Sequence, residues 1–170
     1  MRYFQAILFI ICASCGGGIS NYTEELSGGF TYVNFGGSLN TIESYSRPFP
    51  GIYGEVTDFV YDNNFIIVLQ HPSKEGYQSK ISSKLRNENH KLYPTNSGND
   101  RSKTDLIADS IIISDPFYQK IFEHKINYWI ISHNHKKMYG PLTEKEYLAK
   151  RRELKVPNDL QLKEDTTQLN

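Results

Sequence analysis

Read for hydrophobic and polar positions, the chain breaks into short apolar runs divided by turn-forming residues. The clearest unit spans residues 128–154. Tyr128, Trp129, Ile130 and Ile131 form an aromatic and β-branched run, the composition of a strand buried on at least one face. Residues 132–136 are polar and turn-forming, and Lys137, Met138 and Tyr139 return as a second strand. Pro141, which lacks an N–H, is expected to end that strand at Gly140. Thr143 and Glu146 then have the spacing of a capping box, with Leu142 and Tyr147 at the positions of a hydrophobic staple. Glu144 and Glu146 fall in the first turn of the resulting helix and Lys150, Arg151 and Arg152 in its last, which suits the helix dipole. Glu146 and Lys150 have the spacing of an i, i+4 ion pair.

The second informative stretch is 55–72. Val56, Phe59 and Tyr61 stand among polar residues, Asp62, Asn63 and Asn64 signal a turn, and Phe65, Ile66, Ile67, Val68 and Leu69 run without a polar break. That pattern predicts a hairpin whose second strand is covered on both faces. Phe30, Thr31, Tyr32 and Val33 predict an earlier strand, and residues 41–54, with Pro48 and Pro50, read as a loop. Residues 73–104 are strongly polar and read as a mobile surface insertion, with at most a short helix over 80–86 and a loop over 96–100. Leu106, Ile107 and Ala108, then Ile111, Ile112 and Ile113, suggest one or two short elements. Pro116 opens a short helix to about residue 124, capped by Ser114 or Asp115. Leu160 and Leu162 suit a last extended piece. The expected fold class is α+β: an antiparallel sheet of about four to six strands built from hairpins, with two or three short helices, the last following a hairpin.

Length and composition narrow this reading. A chain of 170 residues suits one domain able to bury about two-thirds of its surface. Nineteen basic and nineteen acidic residues cancel, so no nucleic-acid footprint is visible. The start of the chain is different. Arg2 precedes an apolar core over 6–13, then come Ser14 and Cys15, and Cys12 and Cys15 are the two cysteines present. Residues 12–15 resemble the lipobox of a bacterial lipoprotein signal peptide, in which the cysteine is acylated with fatty acid such as palmitate and the leader is cut just before it. Cys12 stands where leucine is usual. The expected division is therefore a signal peptide over 1–14, a tether over 15–27, an α+β domain over 28–162 and a flexible tail over 163–170. Loss of Arg2 with the leader leaves 19 − 1 = 18 basic against 19 acidic residues, too close to neutral for electrostatic attachment to a membrane. A lipid on Cys15 would have to hold the protein there.

Candidate chemistry is sparse. His133 and His135 are the best metal-ligand types, but both fall in a predicted turn without a third ligand at suggestive spacing, and exposed turn histidines are the expectation. His71, His90 and His124 have no partner in sequence. A Gly-x-Ser-x-Gly elbow and a calcium-loop pattern are missing, and residues 16–18, three glycines, follow no strand, so they read as tether and not as a phosphate loop. No cofactor or metal is expected, and the enzyme reading is the weaker one.

Two segments resemble the small bacterial lipoproteins of domain-of-unknown-function family 3997. One holds Val60, Tyr61 and Asp62, then Phe65, Ile66 and Ile67, Gln70 and Pro72. The other holds Tyr128 through Ile131, Tyr139 through Leu142, Glu146, Tyr147, Arg151, Leu154, Val156, Pro157 and Leu160. Cys15, Tyr22, Glu24, Glu25, Leu26, Gly28 and Gly29 fit the amino-terminal end. The resemblance implies an envelope lipoprotein and supplies no catalytic residues. The hairpin followed by Tyr139, Gly140, Pro141 and a helix is also similar to GYF-type domains, whose exposed aromatic residues bind proline-rich peptides. On that likeness Trp129, Tyr139 and Tyr147 are the candidates for an interaction surface, against the plainer expectation that they fill the core. The functional expectation is a non-catalytic protein- or peptide-binding module, lipid-anchored through Cys15 in a bacterial cell envelope. The alternatives are a small envelope hydrolase or metal-dependent enzyme, and an immunity-type or structural lipoprotein.

Overall fold

A computed structural model of the chain describes residues 21–36, 39–44, 49–94 and 97–163. The first sheet has the order β1 (Tyr22–Glu25), β2 (Phe30–Asn34), β3 (Thr41–Ser44), all antiparallel. The second has the order β4 (Glu55–Tyr61), β5 (Phe65–His71), β6 (Asn127–Ser132), β7 (Lys137–Leu142), again antiparallel throughout. Helices α1 (Lys74–Glu88), α2 (Gly98–Ser114) and α3 (Pro116–Ile121) lie between β5 and β6, and α4 (Glu144–Leu154) follows the last hairpin. The class is α+β as the pattern predicts, with the strands divided between two sheets.

The two-residue period of a strand explains the layering. Along β5, Ile66 and Val68 point into one core while Phe65, Ile67 and Leu69 point into another. β6 repeats the division, with Trp129 and Ile131 on the first side and Tyr128 and Ile130 on the second. The pairs Ile66↔Ile131 and Val68↔Trp129 face each other in register. The first core is closed by the first sheet (Leu26, Phe30, Tyr32, Ile42) and by α1, α2 and α3 (Tyr77, Ile81, Ala108, Ile112, Ile121). The second is closed by Tyr147 of α4 with Val156, Leu160 and Leu162 of the carboxy-terminal segment. A strand buried on both faces has no use for polar residues, which is why 65–69 is unbroken.

The expected hairpins, their turns and the capped last helix are all present. Asp62 Oδ1 accepts from the backbone N–H groups of Asn64 and Phe65 at 2.7 Å each, closing the β4–β5 turn. Thr143 and Glu146 form the reciprocal capping box of α4. Asp115 caps α3 by accepting from the N–H of Phe117.

Several expectations need correction. The polar stretch 73–104 is not a loop-like insertion: it holds α1 and the first turns of α2, with Tyr77 and Ile81 buried. Its few apolar residues sit on one helical face, so a low apolar fraction hid a real amphipathic helix. Residues 106–108 and 111–113 belong to one helix, α2, which makes four helices among the described residues. Thr41–Ser44 is a strand, and Ile42 forms a bridge with Ile52 across the turn-rich stretch. β7 does not stop at Gly140 but continues through Pro141 to Leu142, since β7 is an edge strand with a register shift opposite Tyr128 and Ile130, where a missing N–H is tolerated. Finally, Glu146 is turned back onto Thr143, and Lys150 pairs with Glu153 at 2.5 Å instead. The leader, Cys15 and residues 164–170 lie outside the described residues. Of the expected tether, 22–25 is strand β1.

Candidate binding groove

Where the first sheet meets β4, the side chains of both sheets line an open groove of about 520 Å³. Tyr22 and Glu24 lie on one face of β1 by strand alternation, and Glu24 is the register partner of Tyr32 on β2. Tyr32 forms the buried floor, with its ring centroid 5.8 Å from that of Tyr22 and 4.6 Å from that of Phe59 on β4. Tyr61, two residues along β4, stacks near Phe59 at 6.4 Å and donates its hydroxyl to Glu24 Oε1 at 3.3 Å. The rings therefore make a continuous row from Tyr22 to Tyr61.

A register shift between Val56 and Asp58 sets the far end of the groove. Bulges re-aim side chains on edge strands, and here Asp58 accepts from the backbone N–H of Lys163 at 2.6 Å, with the Lys163 Nζ 3.7 Å away. The carboxy-terminal segment is thereby held at the groove's rim. Burial, with Tyr22 beside it, pushes the Tyr32 phenol up to about 12. Tyr61 is raised as well, by desolvation and then by the Glu24 carboxylate. Tyr22 and Tyr61 are exposed.

The sequence candidates for an interaction surface stand elsewhere. Trp129 and Tyr147 are buried, so they are core and cannot form a surface. Trp129 donates its indole N–H to Gln70 Oε1 at 2.8 Å, and a Cβ at Gly140 would sit 2.3 Å from the indole ring, so β7 passes directly over it. Tyr139 is half-buried, with Lys137 and Lys150 each 5.1 Å from its ring centroid. The GYF-like patch is thus filled by the protein's own packing. Phe59 and Tyr61 were visible as alternate aromatic residues on a predicted strand. Tyr22 and Tyr32 join them only through sheet pairing, which sequence spacing does not reveal.

The histidines divide. His135 is exposed, while His133 is half-buried, contrary to expectation, with Nε2 2.9 Å from Ser27 Oγ and its ring against the backbone of Gly28. Gly28 has φ +68, and a Cβ there would meet the imidazole at 2.3 Å. Among the described residues no group of three or more His, Cys, Asp or Glu is placed to hold a metal ion. A second cavity, about 390 Å³ between α1 and α2, is laced by the protein's own hydrogen bonds. Arg86 Nη1 donates to Ser82 Oγ and Thr104 Oγ1, and Ser82 donates to Asp105.

Comparison with known proteins bears on part of this frame. Residues 101–166 match a family described as protein of unknown function (DUF3997). The match takes in α2 from Arg101, α3, the β6–β7 hairpin and α4, the part where the last-hairpin signature lies. It covers less than half of the 170 residues, and β1, β2 and β4 of the groove fall outside it. No curated protein and no solved structure matches the chain.

Proposed function

We propose that the protein is a lipid-anchored envelope protein whose folded domain binds a protein or peptide through the Tyr22–Tyr61 groove without catalysing a reaction on it. The observation that carries the reading is a row of four rings at the junction of the two sheets, with Tyr22 and Tyr61 exposed at its two ends. Stacking faces and an ordered carboxylate are equipment for holding a ligand. The anchor rests on the lipobox-like residues 12–15. Cys15 and Tyr22 are 22 − 15 = 7 residues apart, a reach of about 25 Å when extended, so an acylated Cys15 keeps the groove close to the bilayer. Among the described residues no helix is long and apolar enough to cross a membrane, and the lipid is the proposed attachment.

Two measurements on cells test this. Palmitate labelling with membrane fractionation should give a labelled, membrane-bound wild type and an unlabelled Cys15→Ala variant; an unlabelled, soluble wild type overturns the anchor. A photoreactive phenylalanine analogue at position 61 should cross-link to a partner that the same group at exposed Leu148 on α4 does not reach. Equal products from both positions would remove the groove as the binding site.

A second reading, a small envelope hydrolase, is favoured by one contact: the Ser27 hydroxyl within hydrogen-bond distance of the His133 imidazole, the first requirement of an activated serine. A fluorophosphonate probe would label wild type and not Ser27→Ala if that pair were catalytic.

A further inference from the structure

The groove has an electrical sign, and we infer that its occupant is a basic peptide segment, held by a lysine or arginine side chain laid over the tyrosine rings and paired with Glu24. This deepens the proposed function and rests on the groove being the binding site.

Three observations carry the inference. The first is charge. Glu24 lines the groove together with the rings of Tyr22, Tyr32, Phe59 and Tyr61. Asp58 already has Lys163 as partner, whereas none of the ion pairs among the described residues involves Glu24. It accepts a hydrogen bond from the hydroxyl of Tyr61. A carboxylate beside ring faces, whose π-clouds are themselves negative, favours a cation.

The second is that, among the described residues, some rings elsewhere carry a cation of the protein's own, while the rings of this row do not. Lys80 lies over Phe35 and Tyr53, Lys137 and Lys150 over Tyr139, and Arg151 over Tyr147, at 5.0 to 5.8 Å from the centroids. Among the described residues no such cation covers Tyr22, Tyr32, Phe59 or Tyr61. Tyr22 and Tyr61 are the exposed rings of this row, so a cation from outside can reach them.

The third favours a peptide over a small ammonium compound. The groove is open along its length, and β1 and β4 each stand at the end of their sheets among the described residues. An extended chain placed there gains backbone pairing as well as the side-chain contact, whereas an open groove encloses little of a small cation.

The test uses the full chain in detergent micelles with isotope-labelled tyrosine rings, followed by NMR. The probes are two capped pentapeptides, Gly-Arg-Gly-Arg-Gly and Gly-Glu-Gly-Glu-Gly, and tetramethylammonium chloride. The arginine peptide should move the ring signals of Tyr22 and Tyr61, with affinity lowered about fivefold or more in Glu24→Gln and in Tyr61→Ala. The glutamate peptide should leave them in place. If the glutamate peptide moves the same rings, the groove binds but the basic occupant is overturned. Should neither peptide move them, the binding groove itself falls together with the inference. Equal affinities in wild type and Glu24→Gln would remove Glu24 as the recognition group and overturn the proposal. Tetramethylammonium binding as tightly as the arginine peptide would replace the peptide by a small cation.

Discussion

Tyr147 and Tyr61 show how one residue type serves two ends. Tyr147 is wholly buried and stacks on Tyr128 with centroids 4.6 Å apart. Arg151 donates to its hydroxyl at 2.9 Å and continues to the carbonyl oxygens of Leu160 and Pro157. Truncating it removes a large buried ring and one partner of that arginine, so Tyr147→Ala should cost about 3–5 kcal/mol of unfolding free energy. Tyr61 sits at the solvent edge, and Tyr61→Ala should shift stability by about 0.5 kcal/mol or less. Urea denaturation of the two variants beside wild type measures both. A large loss at Tyr61 would mean that the ring row is part of the core and not a surface, and that would undercut the groove as a site kept open for a ligand.

At the scale of the element, α4 is the part most directly legible in the sequence, because its instructions are local. Thr143 and Glu146 are three residues apart and satisfy each other's backbone donors, with Thr143 N–H donating to Glu146 Oε2 at 2.8 Å. That hydrogen bond, and then the one from the Thr143 hydroxyl, holds the Glu146 carboxyl below the ordinary carboxylate value. A lowered folded value means stability that is present above the unfolded carboxylate value of about 4.3 and lost as pH falls through the folded one. Thr143→Ala should cost about 1 kcal/mol at pH 7. The gap between wild type and Glu146→Ala should narrow as pH drops below about 4, which acid-side thermal melts would show; a gap constant with pH would detach Glu146 from the cap. The same locality made the 62–64 turn and the β4–β5 hairpin readable. α1 was not readable because its evidence is tertiary: Tyr77 and Ile81 are ordinary residues in a polar run until Gln70, Tyr53 and the second sheet surround them. β1 was missed for a similar reason, since a four-residue strand of mostly exposed side chains has no hydrophobic alternation to betray it. The groove inherits both gaps, for it joins residues from β1, β2 and β4 that only sheet pairing brings together.

The whole molecule hangs on the second sheet, whose β5 and β6 supply side chains to both cores at once. Neither core survives loss of that sheet, so unfolding should be a single cooperative transition, with Trp129 fluorescence and far-ultraviolet circular dichroism giving the same midpoint. The first sheet meets the second along β4. Its contacts to β4 include Tyr32 on Phe59, the Tyr61 hydroxyl donating to Glu24 and the backbone bond from Val56 N–H to Asn40 O at 3.2 Å. This makes the joint sensitive to alkali. Burial, with Tyr22 beside it, pushes the Tyr32 phenol from 10.0 up to about 12, so the folded state resists losing that proton. Stability from Tyr32 is therefore intact below pH 10 and falls as pH rises toward 12. Urea midpoints at pH 8 and pH 11 should drop more for wild type than for Tyr32→Phe, which keeps the ring against Phe59 and has no proton to lose. The buried Tyr77, raised in the same direction, remains in both proteins and contributes equally to each. Equal drops would mean that folding does not shield the Tyr32 hydroxyl from water, and Tyr32 would then not be the buried floor of the groove.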